Sequence, residues 1–277
     1  MKQALDKTNF AYISSLFGYK QILKHEVDKV TFDFKNAVDC YSDVFEEYYK
    51  TLIENYRCEY IYKNEILNQL LLNHSAKAKL YTEVEVFDSK ADVVIFNGTS
   101  TVYEIKTELD SFDRLQKQLS AYKLVFDKIN VVTHLGKLER VKKILDSDIG
   151  ILVLNDKGII ETERDAKSNK QNTNPNFVFN LLHKDEYLSI LRKHFGFTPD
   201  VAPVHIFREC KKMFLELNPE IAHDYMVEAL KERKTKKYLE KLMDELPASL
   251  KLIGTYNKLT KKECQEITLK LCRSTAV

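Results

Sequence analysis

The sequence predicts an α/β fold in which a meander of three strands leads into one amphipathic helix. Two runs of strand-forming residues, 81–87 and 91–96, lie close together in the chain. Asn97 and Gly98, a strong hairpin signal, separate the second run from a third at 101–107. Beyond the third run, apolar residues recur with helical spacing at Phe112, Leu115, Leu119, Tyr122 and Phe126.

Helices are predicted before the meander, over residues 1–72. A continuous helix is expected from about residue 46 to residue 72. On such a helix Glu59 lies on the apolar stripe, whereas Glu54 and Glu65 are rotated away from it by more than about 100°. The stripe consists of Leu52, Tyr56, Ile66 and Leu70.

A strand, a helix and a second strand are predicted after the meander and its helix. The strands cover residues 128–133 and 149–154, and a turn follows at 156–158. The intervening helix has apolar residues at Leu138, Val141 and Leu145. This order favours parallel pairing through a right-handed crossover. The predicted core is therefore αβββαβ, with one extra strand behind it.

The C-terminal part of the chain is predicted to be helical. Residues 165–176 are polar and are expected to form a loop or linker. We therefore divide the chain into an N-terminal helical segment (1–50), a core (51–164) and a C-terminal helical region (177–277). Helical spacing occurs at 184–194, 203–217, 219–236 and 261–271.

Composition narrows the class of protein. The 277 residues are 44% hydrophobic, carry a formal net charge of +2, and contain five scattered cysteines without a C-x-x-C pair. We expect reduced thiols in a cytoplasmic protein. No run approaches the 18 apolar residues that indicate a membrane span, and the first residues do not have the pattern of a signal peptide. The net charge neither requires nor excludes nucleic-acid binding, because local basic patches suffice.

Three polar residues occur where the meander is otherwise apolar. Asp92 begins the second strand, and Glu104 and Lys106 project from one face of the third. Two carboxylates on paired strands repel each other, and a divalent cation relieves that repulsion. The alternative is a solvated hairpin face with a Glu–Lys pair. Glu83 and Glu85 alternate on the first strand and are interpreted mainly as its solvent face, with Glu83 a minor candidate for the site.

Asp92 and the Glu104-Ile105-Lys106 triplet resemble the motif of the PD-(D/E)XK nuclease superfamily. Gln118 and Tyr122 resemble the QxxxY motif of its RecB-like branch, and they share one helix face. The similarity is clearest over residues 50–160. This part of the sequence resembles a little-characterised bacterial family within the superfamily. It implies a restriction-endonuclease-like αβββαβ core with helical N-terminal and C-terminal additions.

The resemblance implies a Mg²⁺-dependent nuclease, with Mn²⁺ as a substitute ion and DNA rather than RNA as the expected substrate. Asp92, Glu104, the carbonyl of Ile105 and Glu59 are the expected metal ligands. For Glu59 the alternative is a surface ion pair with Lys63.

Lys106, Gln118 and Tyr122 complete the catalytic set that the resemblance implies. Lys106 is expected to orient the attacking water, Gln118 to orient water or phosphate, and Tyr122 to contact the nucleic-acid backbone or pack beside it. The alternative function is a nuclease fold that binds nucleic acid or protein without catalysis.

Basic residues near the predicted site are candidates for contacts with flanking phosphates. Arg114 and Lys117 precede Gln118 on the same helix. For Arg114 the alternative is an ion pair with Asp110 or Asp113. A basic run at 231–237 is interpreted as a solvated helix end, with phosphate contact as the alternative.

Overall fold

The protein forms two compact units, each assembled from separated parts of the chain. The structure is a computed structural model that describes residues 7–24, 40–71 and 78–272. Unit 1 comprises the described residues of Met1–Asn73, Leu154–Glu161 and Lys234–Val277. Unit 2 comprises those of His74–Val153 and Thr162–Arg233. The C-terminal helical region thus contributes to both units.

Helices and strands follow one another in an order that contains the predicted helix-strand-strand-strand-helix-strand series. The helices are α1 (Lys7–Ser15), α2 (Tyr19–Leu23), α3 (Tyr41–Asn55), α4 (Glu59–Glu65), α5 (Leu115–Lys123), α6 (Leu138–Ile144), α7 (Pro175–Phe179), α8 (Lys184–Phe195), α9 (Ile206–Phe214), α10 (Pro219–Glu232), α11 (Lys237–Glu245) and α12 (Lys261–Leu271). The strands are β1 (Lys79–Val86), β2 (Ser89–Phe96), β3 (Ser100–Lys106), β4 (Lys128–His134), β5 (Gly150–Leu154) and β6 (Ile160–Arg164).

The continuous helix predicted over residues 46–72 is wrong. α3 ends at Asn55, α4 begins at Glu59, and a π-helical stretch, Ile66–Leu71, follows α4. At the interruption the Arg57 guanidinium donates to the carbonyl oxygen of Ile53 and forms an ion pair with Asp156 of the same unit, at 2.8 Å. Residues 56–58 contain neither glycine nor proline, so nothing in the local sequence predicts the break.

The interruption reverses the expected burial of two acidic residues in unit 1. Glu65, expected off the apolar stripe, is buried and accepts hydrogen bonds from the Tyr49 hydroxyl at 2.6 Å and from the Gln69 amide. Glu59, expected on the stripe, is exposed and pairs with Lys63 at 2.5 Å. Because the three residues 56–58 are not helical, the angular positions of side chains around α4 do not continue from those around α3. The apolar stripe predicted for one continuous helix therefore does not extend into α4.

The strands form one six-stranded sheet in the order β1-β2-β3-β4-β5-β6. β1 pairs with β2, and β2 with β3, in antiparallel register, whereas β3 and β4 are parallel and joined through α5. The predicted Asn97–Gly98 turn is confirmed, and Gly98 has the positive φ of 76° that favours glycine. The protein is therefore mixed α/β, with a largely antiparallel sheet.

α5 packs the predicted apolar face into the core of unit 2. Phe112, Leu115, Leu119, Tyr122 and Phe126 are all buried there. Apolar residues of β2, β3 and β4 also belong to this core, among them Val94, Val102 and Val131. This packing fixes the rotation of α5, so one of its sides faces the polar residues of β3.

Residues 165–176, predicted to be a loop or linker, pack as a structured part of unit 2. The buried Asp127 carboxylate accepts hydrogen bonds from Ser168, from the backbone N–H groups of Asn169 and Lys170, and from Thr99. Burial opposes the charged form of Asp127, but the hydrogen bonds from Ser168 and Thr99 hold its pKa below the ordinary value. Polar residues of this segment therefore supply hydrogen bonds to the buried charge of Asp127.

The C-terminal helices occur close to the predicted positions. α10 ends at Glu232, before the predicted end at residue 236, and α11 begins at Lys237. Within the basic run, Arg233 pairs internally with Glu186 at 2.6 Å. Among the described residues, no helix combines the length and apolar character needed to cross a membrane.

Candidate active site

The pairing of β2 with β3 places two of the predicted site residues side by side. Val93 pairs with Tyr103, and Val94 with Val102. One residue further along, this register sets Asp92 opposite Glu104, and opposite residues on antiparallel strands share a face. The backbone N–H of Ile105 donates to the Asp92 carboxylate at 2.7 Å, which fixes that carboxylate against β3.

Glu104 is the centre of a buried polar cluster. Its side chain is only 1% exposed, and its two carboxylate oxygens accept from different donors. The Lys106 ammonium donates to one oxygen at 2.6 Å, and the Tyr122 hydroxyl contacts the other at 2.7 Å. Lys106 also donates to the Gln118 amide oxygen at 3.1 Å. The structure thus brings Glu104, Lys106, Gln118 and Tyr122 together, with Asp92 on the adjacent strand.

The electrostatic environment keeps the Tyr122 hydroxyl protonated. Burial, followed by the charge of Glu104 and its hydrogen bond, raises the pKa of Tyr122 far above its ordinary value. The hydroxyl also lies 2.8 Å from the carbonyl oxygen of Lys90. Because one proton faces two acceptors, Tyr122 ties β2 to the Glu104 carboxylate. Its position is that of a residue that orients Glu104.

Glu83, interpreted mainly as part of the solvent face and as a minor candidate for the site, lies close to Asp92. The register of β1 with β2 sets it opposite Asp92, and carboxylate oxygens of the two residues lie within 4.8 Å of each other. Glu83 has a φ of 57°, a left-handed conformation that is strained for a residue with a side chain. Its side chain is exposed and pairs with Lys90 at 3.3 Å. Glu85 is exposed, as expected.

Glu59, one of the predicted metal ligands, belongs to unit 1, whereas the cluster around Glu104 belongs to unit 2. Within its own unit the Glu59 side chain is 56% exposed and forms the ion pair with Lys63 that was the alternative interpretation. Its role as a metal ligand stays a prediction.

The predicted phosphate-binding residues lie on the exposed side of α5. Lys117 is exposed and pairs with Asp88, at the tip of the β1–β2 hairpin. Arg114, which precedes the first residue of α5, is exposed. Within the described part of the chain Arg114 forms no ion pair with Asp110 or Asp113, its alternative partners. Both basic groups therefore lie on a solvent-exposed surface.

Two contributors to the site were not predicted from the sequence. The Lys90 carbonyl oxygen acts through the backbone, which any residue supplies, so no sequence signal could reveal it. Thr133 on β4 donates its hydroxyl to the carbonyl oxygen of Lys106 at 2.8 Å and so fixes the end of β3. A buried threonine among strand-forming residues is ordinary, and only the parallel pairing of β3 with β4 gives it this place.

Comparison with known proteins places the chain in a family. The model of the bacteriophage P4 protein cII family matches residues 53–254, well over half of the chain. The chain belongs to the bacteriophage P4 protein cII family. Protein cII of Enterobacteria phage P4 is 30% identical over 95 residues, which are 34% of this chain and 33% of that relative, so the matched region spans about a third of its length.

One solved structure with some similarity belongs to a protein of unknown function from Silicibacter pomeroyi. It has 17% sequence identity and a TM-score of 0.31 over 38% of this chain and 68% of that chain. The descriptions of the cII relative and of this structure name no activity, so the case for a function rests on the chemistry of the cluster around Glu104.

Proposed function

We propose that this member of the cII family is a cytoplasmic, metal-dependent nuclease with a restriction-endonuclease-like core that hydrolyses phosphodiester bonds, with DNA as the expected substrate. The observation that carries the proposal is the buried Glu104–Lys106 pair, with Gln118 and Tyr122 on it and Asp92 on the next strand. Burying two opposite charges costs desolvation energy that an apolar pair would avoid. Such a pair beside a second carboxylate is typical of a site with a chemical role.

The donor set fits a hard divalent cation. Carboxylate and carbonyl oxygens are the ligands that Mg²⁺ prefers, and oxygens of Asp92 and Glu83 already approach within 4.8 Å. Asp92, Glu104 and the Ile105 carbonyl would hold the ion, with Glu59 as the further predicted ligand. A bound Mg²⁺, or Mn²⁺ in its place, would supply positive charge at the scissile phosphate and make a water more acidic.

The protein's own side chains supply orientation and charge. Lys106, held by Glu104 and Gln118, offsets negative charge that develops on the phosphate and orients the attacking water. Tyr122 fixes the rotamer of Glu104 through its hydrogen bond. Arg114 and Lys117 bind phosphates on either side of the scissile bond, and Lys117 exchanges its partner Asp88 for a phosphate oxygen.

Digestion of defined substrates tests the proposal. Labelled single-stranded and duplex DNA, and RNA of the same sequence, are incubated with the protein in Mg²⁺, Mn²⁺ or EDTA. We expect cleavage of DNA with either ion, none with EDTA, and loss of cleavage in Glu104→Gln. Cleavage that persists equally in EDTA and in Glu104→Gln would refute this site as its source.

A nuclease fold that only binds nucleic acid or protein is the second candidate. One observation favours it: both oxygens of Glu104 already have donors, so its charge is balanced without an ion. This candidate predicts oligonucleotide or protein binding that is unchanged by Mg²⁺ and no cleavage in any arm of the digestion.

A further inference from the structure

An exposed aromatic ring occupies the tip of the β1–β2 hairpin. Val86 pairs with Ser89, so Phe87 and Asp88 form a two-residue loop. Phe87 is 76% exposed and has a φ of 55°, at the loop position where type II′ turns favour glycine. Exposure of a large apolar ring and a left-handed backbone both oppose folding. Such local conflicts are characteristic of functional positions.

An ion pair and a hydrogen bond connect this tip to the candidate active site. Asp88 pairs with Lys117, the neighbour of Gln118 on α5. Three residues beyond Phe87, the Lys90 carbonyl oxygen lies 2.8 Å from the Tyr122 hydroxyl, which also contacts Glu104. The hairpin that carries Phe87 therefore runs past the Glu104 cluster and contacts α5 through two residues that follow the ring, Asp88 and Lys90.

The Phe87 ring is braced while most of its surface stays in solvent. Phe177 meets it edge to face, with ring centroids 5.7 Å apart and an interplanar angle of 88°. Such a contact orients an aromatic ring without covering its face. A fixed, solvent-facing ring beside a polar site is a platform on which a flat ligand can stack.

Basic groups balance acidic side chains at the tip, so these pairs present no net negative charge that would repel a polyanion. Lys90 and Lys117 are exposed, and each neutralises an acidic neighbour, Glu83 or Asp88. Arg114, exposed at the start of α5, adds a guanidinium. Stacking rings combined with basic groups that follow the backbone are the usual elements of single-strand binding.

We propose that Phe87 stacks on an unpaired base of the substrate strand, so that the site takes single-stranded nucleic acid or the unpaired end of a duplex. This inference deepens the proposed function and rests on it for the identity of the substrate. Duplex interior bases are already stacked on one another and offer no free face to the ring. Phe87 thus selects the strand state, while the Glu104 cluster acts on the phosphate.

Binding measurements without divalent ions test the stacking separately from cleavage. Anisotropy of a labelled single-stranded oligonucleotide is compared for wild type, Phe87→Ala, Phe87→Gly and the control Phe197→Ala, which removes another exposed phenylalanine of unit 2. We expect roughly 5- to 150-fold weaker binding for both Phe87 variants, the range for one lost base–aromatic stack. The control and the affinity for a blunt duplex stay unchanged. Phe87→Gly suits the turn, so its loss of binding cannot come from misfolding.

A fluorescent reporter reads the contact directly. The chain has no tryptophan, so Phe87→Trp introduces a single one. We expect saturable quenching of its emission by the single-stranded oligonucleotide and none for Phe197→Trp. Absent quenching together with wild-type affinity in Phe87→Ala would overturn the stacking, as would an equal loss of duplex affinity. Quenching by a protein that never cleaves would instead refute the nuclease proposal and leave the base contact in place.

Discussion

Single residues at the site are held by opposing charges in a nearly dry environment. Lys106 is central, because its ammonium balances the buried Glu104 carboxylate and reaches Gln118. Removing one partner of a buried ion pair costs about 3–5 kcal/mol, since the other charge stays buried without compensation. Lys106 therefore contributes to stability as well as to the proposed chemistry, and the two contributions are separable.

Lys106→Ala should lower cleavage at least about 100-fold and lower the free energy of unfolding by about 3–5 kcal/mol in EDTA. Saturating Mg²⁺ should restore more stability to the variant than it adds to wild type, because the cation then compensates Glu104. Asp92→Ala should lose cleavage and metal affinity together. Urea denaturation with and without Mg²⁺, calorimetry and the digestion assay measure these effects.

Lys128→Ala, an exposed lysine at the start of β4, is the control for Lys106→Ala and should leave all three measurements unchanged. If Lys106→Ala cleaves as fast as wild type, the motif does not have its proposed role and the binding-only candidate is favoured.

The strained backbone at Glu83 provides a stability prediction. Glu83→Gly removes a left-handed side-chain-bearing residue and a like charge facing Asp92. Strain of this kind costs on the order of 1–3 kcal/mol, which exceeds the roughly 0.5–1 kcal/mol entropic cost of glycine in a strand. We expect Glu83→Gly to be more stable than the matched Glu85→Gly by about 1–2 kcal/mol in urea denaturation. Equal stabilities would show that Glu83 is not strained.

Secondary-structure elements were predictable where the signal is local. The Asn97–Gly98 hairpin and the apolar face of α5 follow from turn chemistry and helical period, and the structure has both. The interruption at residues 56–58 was not predictable, because no breaker residue marks it. The contacts of Arg57 with Ile53 and Asp156 that accompany it form only in the folded unit 1. Burial of Glu65 and exposure of Glu59 depend on that break.

The residues of the site were likewise predictable only where the signal is local in the sequence. Polar residues in an otherwise apolar meander indicated Asp92, Glu104 and Lys106, and the resemblance to the nuclease motifs added Gln118 and Tyr122. Contacts in the structure join these five residues. The approach of Glu83 to Asp92 depends on strand register, and the role of Lys90 depends on its backbone carbonyl. The sequence offered Glu83 only as a minor candidate, and a backbone carbonyl leaves no trace in residue type.

The hydrogen bond between Tyr49 on α3 and Glu65 on α4 tests the burial of Glu65, which depends on the break between these two helices. Tyr49→Phe leaves a buried carboxylate with one donor fewer, and hydrogen bonds to charged groups contribute about 1.5–3 kcal/mol. Tyr60→Phe removes a neutral bond to the Ser249 carbonyl and should cost about 0.5–1.5 kcal/mol. Urea denaturation of both variants checks the order. A smaller loss for Tyr49→Phe would contradict the burial of Glu65.

At the scale of the whole molecule, each unit closes on itself through segments far apart in the sequence. In unit 2 the loop before α7 caps Asp127, while Ser100 at the start of β3 contacts His223 of α10 at 2.7 Å. In unit 1 the Lys270 ammonium of α12 donates to the carbonyl oxygen of Ile22 at 3.0 Å. These polar contacts join segments that are distant in the sequence, and the contact of Ser100 with His223 includes a titratable imidazole.

The contact between Ser100 and His223, the His223 joint, predicts how acid lowers the free energy of unfolding. The His223 Nε2 lies 2.7 Å from the Ser100 hydroxyl, which also accepts from the Asp127 N–H. A neutral imidazole can accept the hydroxyl proton at Nε2, whereas a charged one cannot. Burial lowers the pKa of His223 below its ordinary value of 6.5, although Asp127 and Asp224 favour the charged form and Lys170 opposes it. The unfolded chain therefore binds a proton that the folded one rejects. The free energy of unfolding is greatest above about pH 6.5 and decreases as the pH falls from there toward the folded-state pKa.

Urea denaturation of wild type at pH 7.5, 6.5 and 5.5 should show this decrease, and His223→Gln should flatten it while lowering stability at pH 7.5 through the altered bond to Ser100. The exposed His205, changed to Gln, is the control and should keep the wild-type slope. Asp127 has a lowered pKa as well, but its contribution is lost only as the pH falls below its ordinary value of 3.8, so it does not contribute in this range. A wild-type free energy that stays constant from pH 7.5 to 5.5, or a slope that survives in His223→Gln, would show that this joint does not control the response to acid.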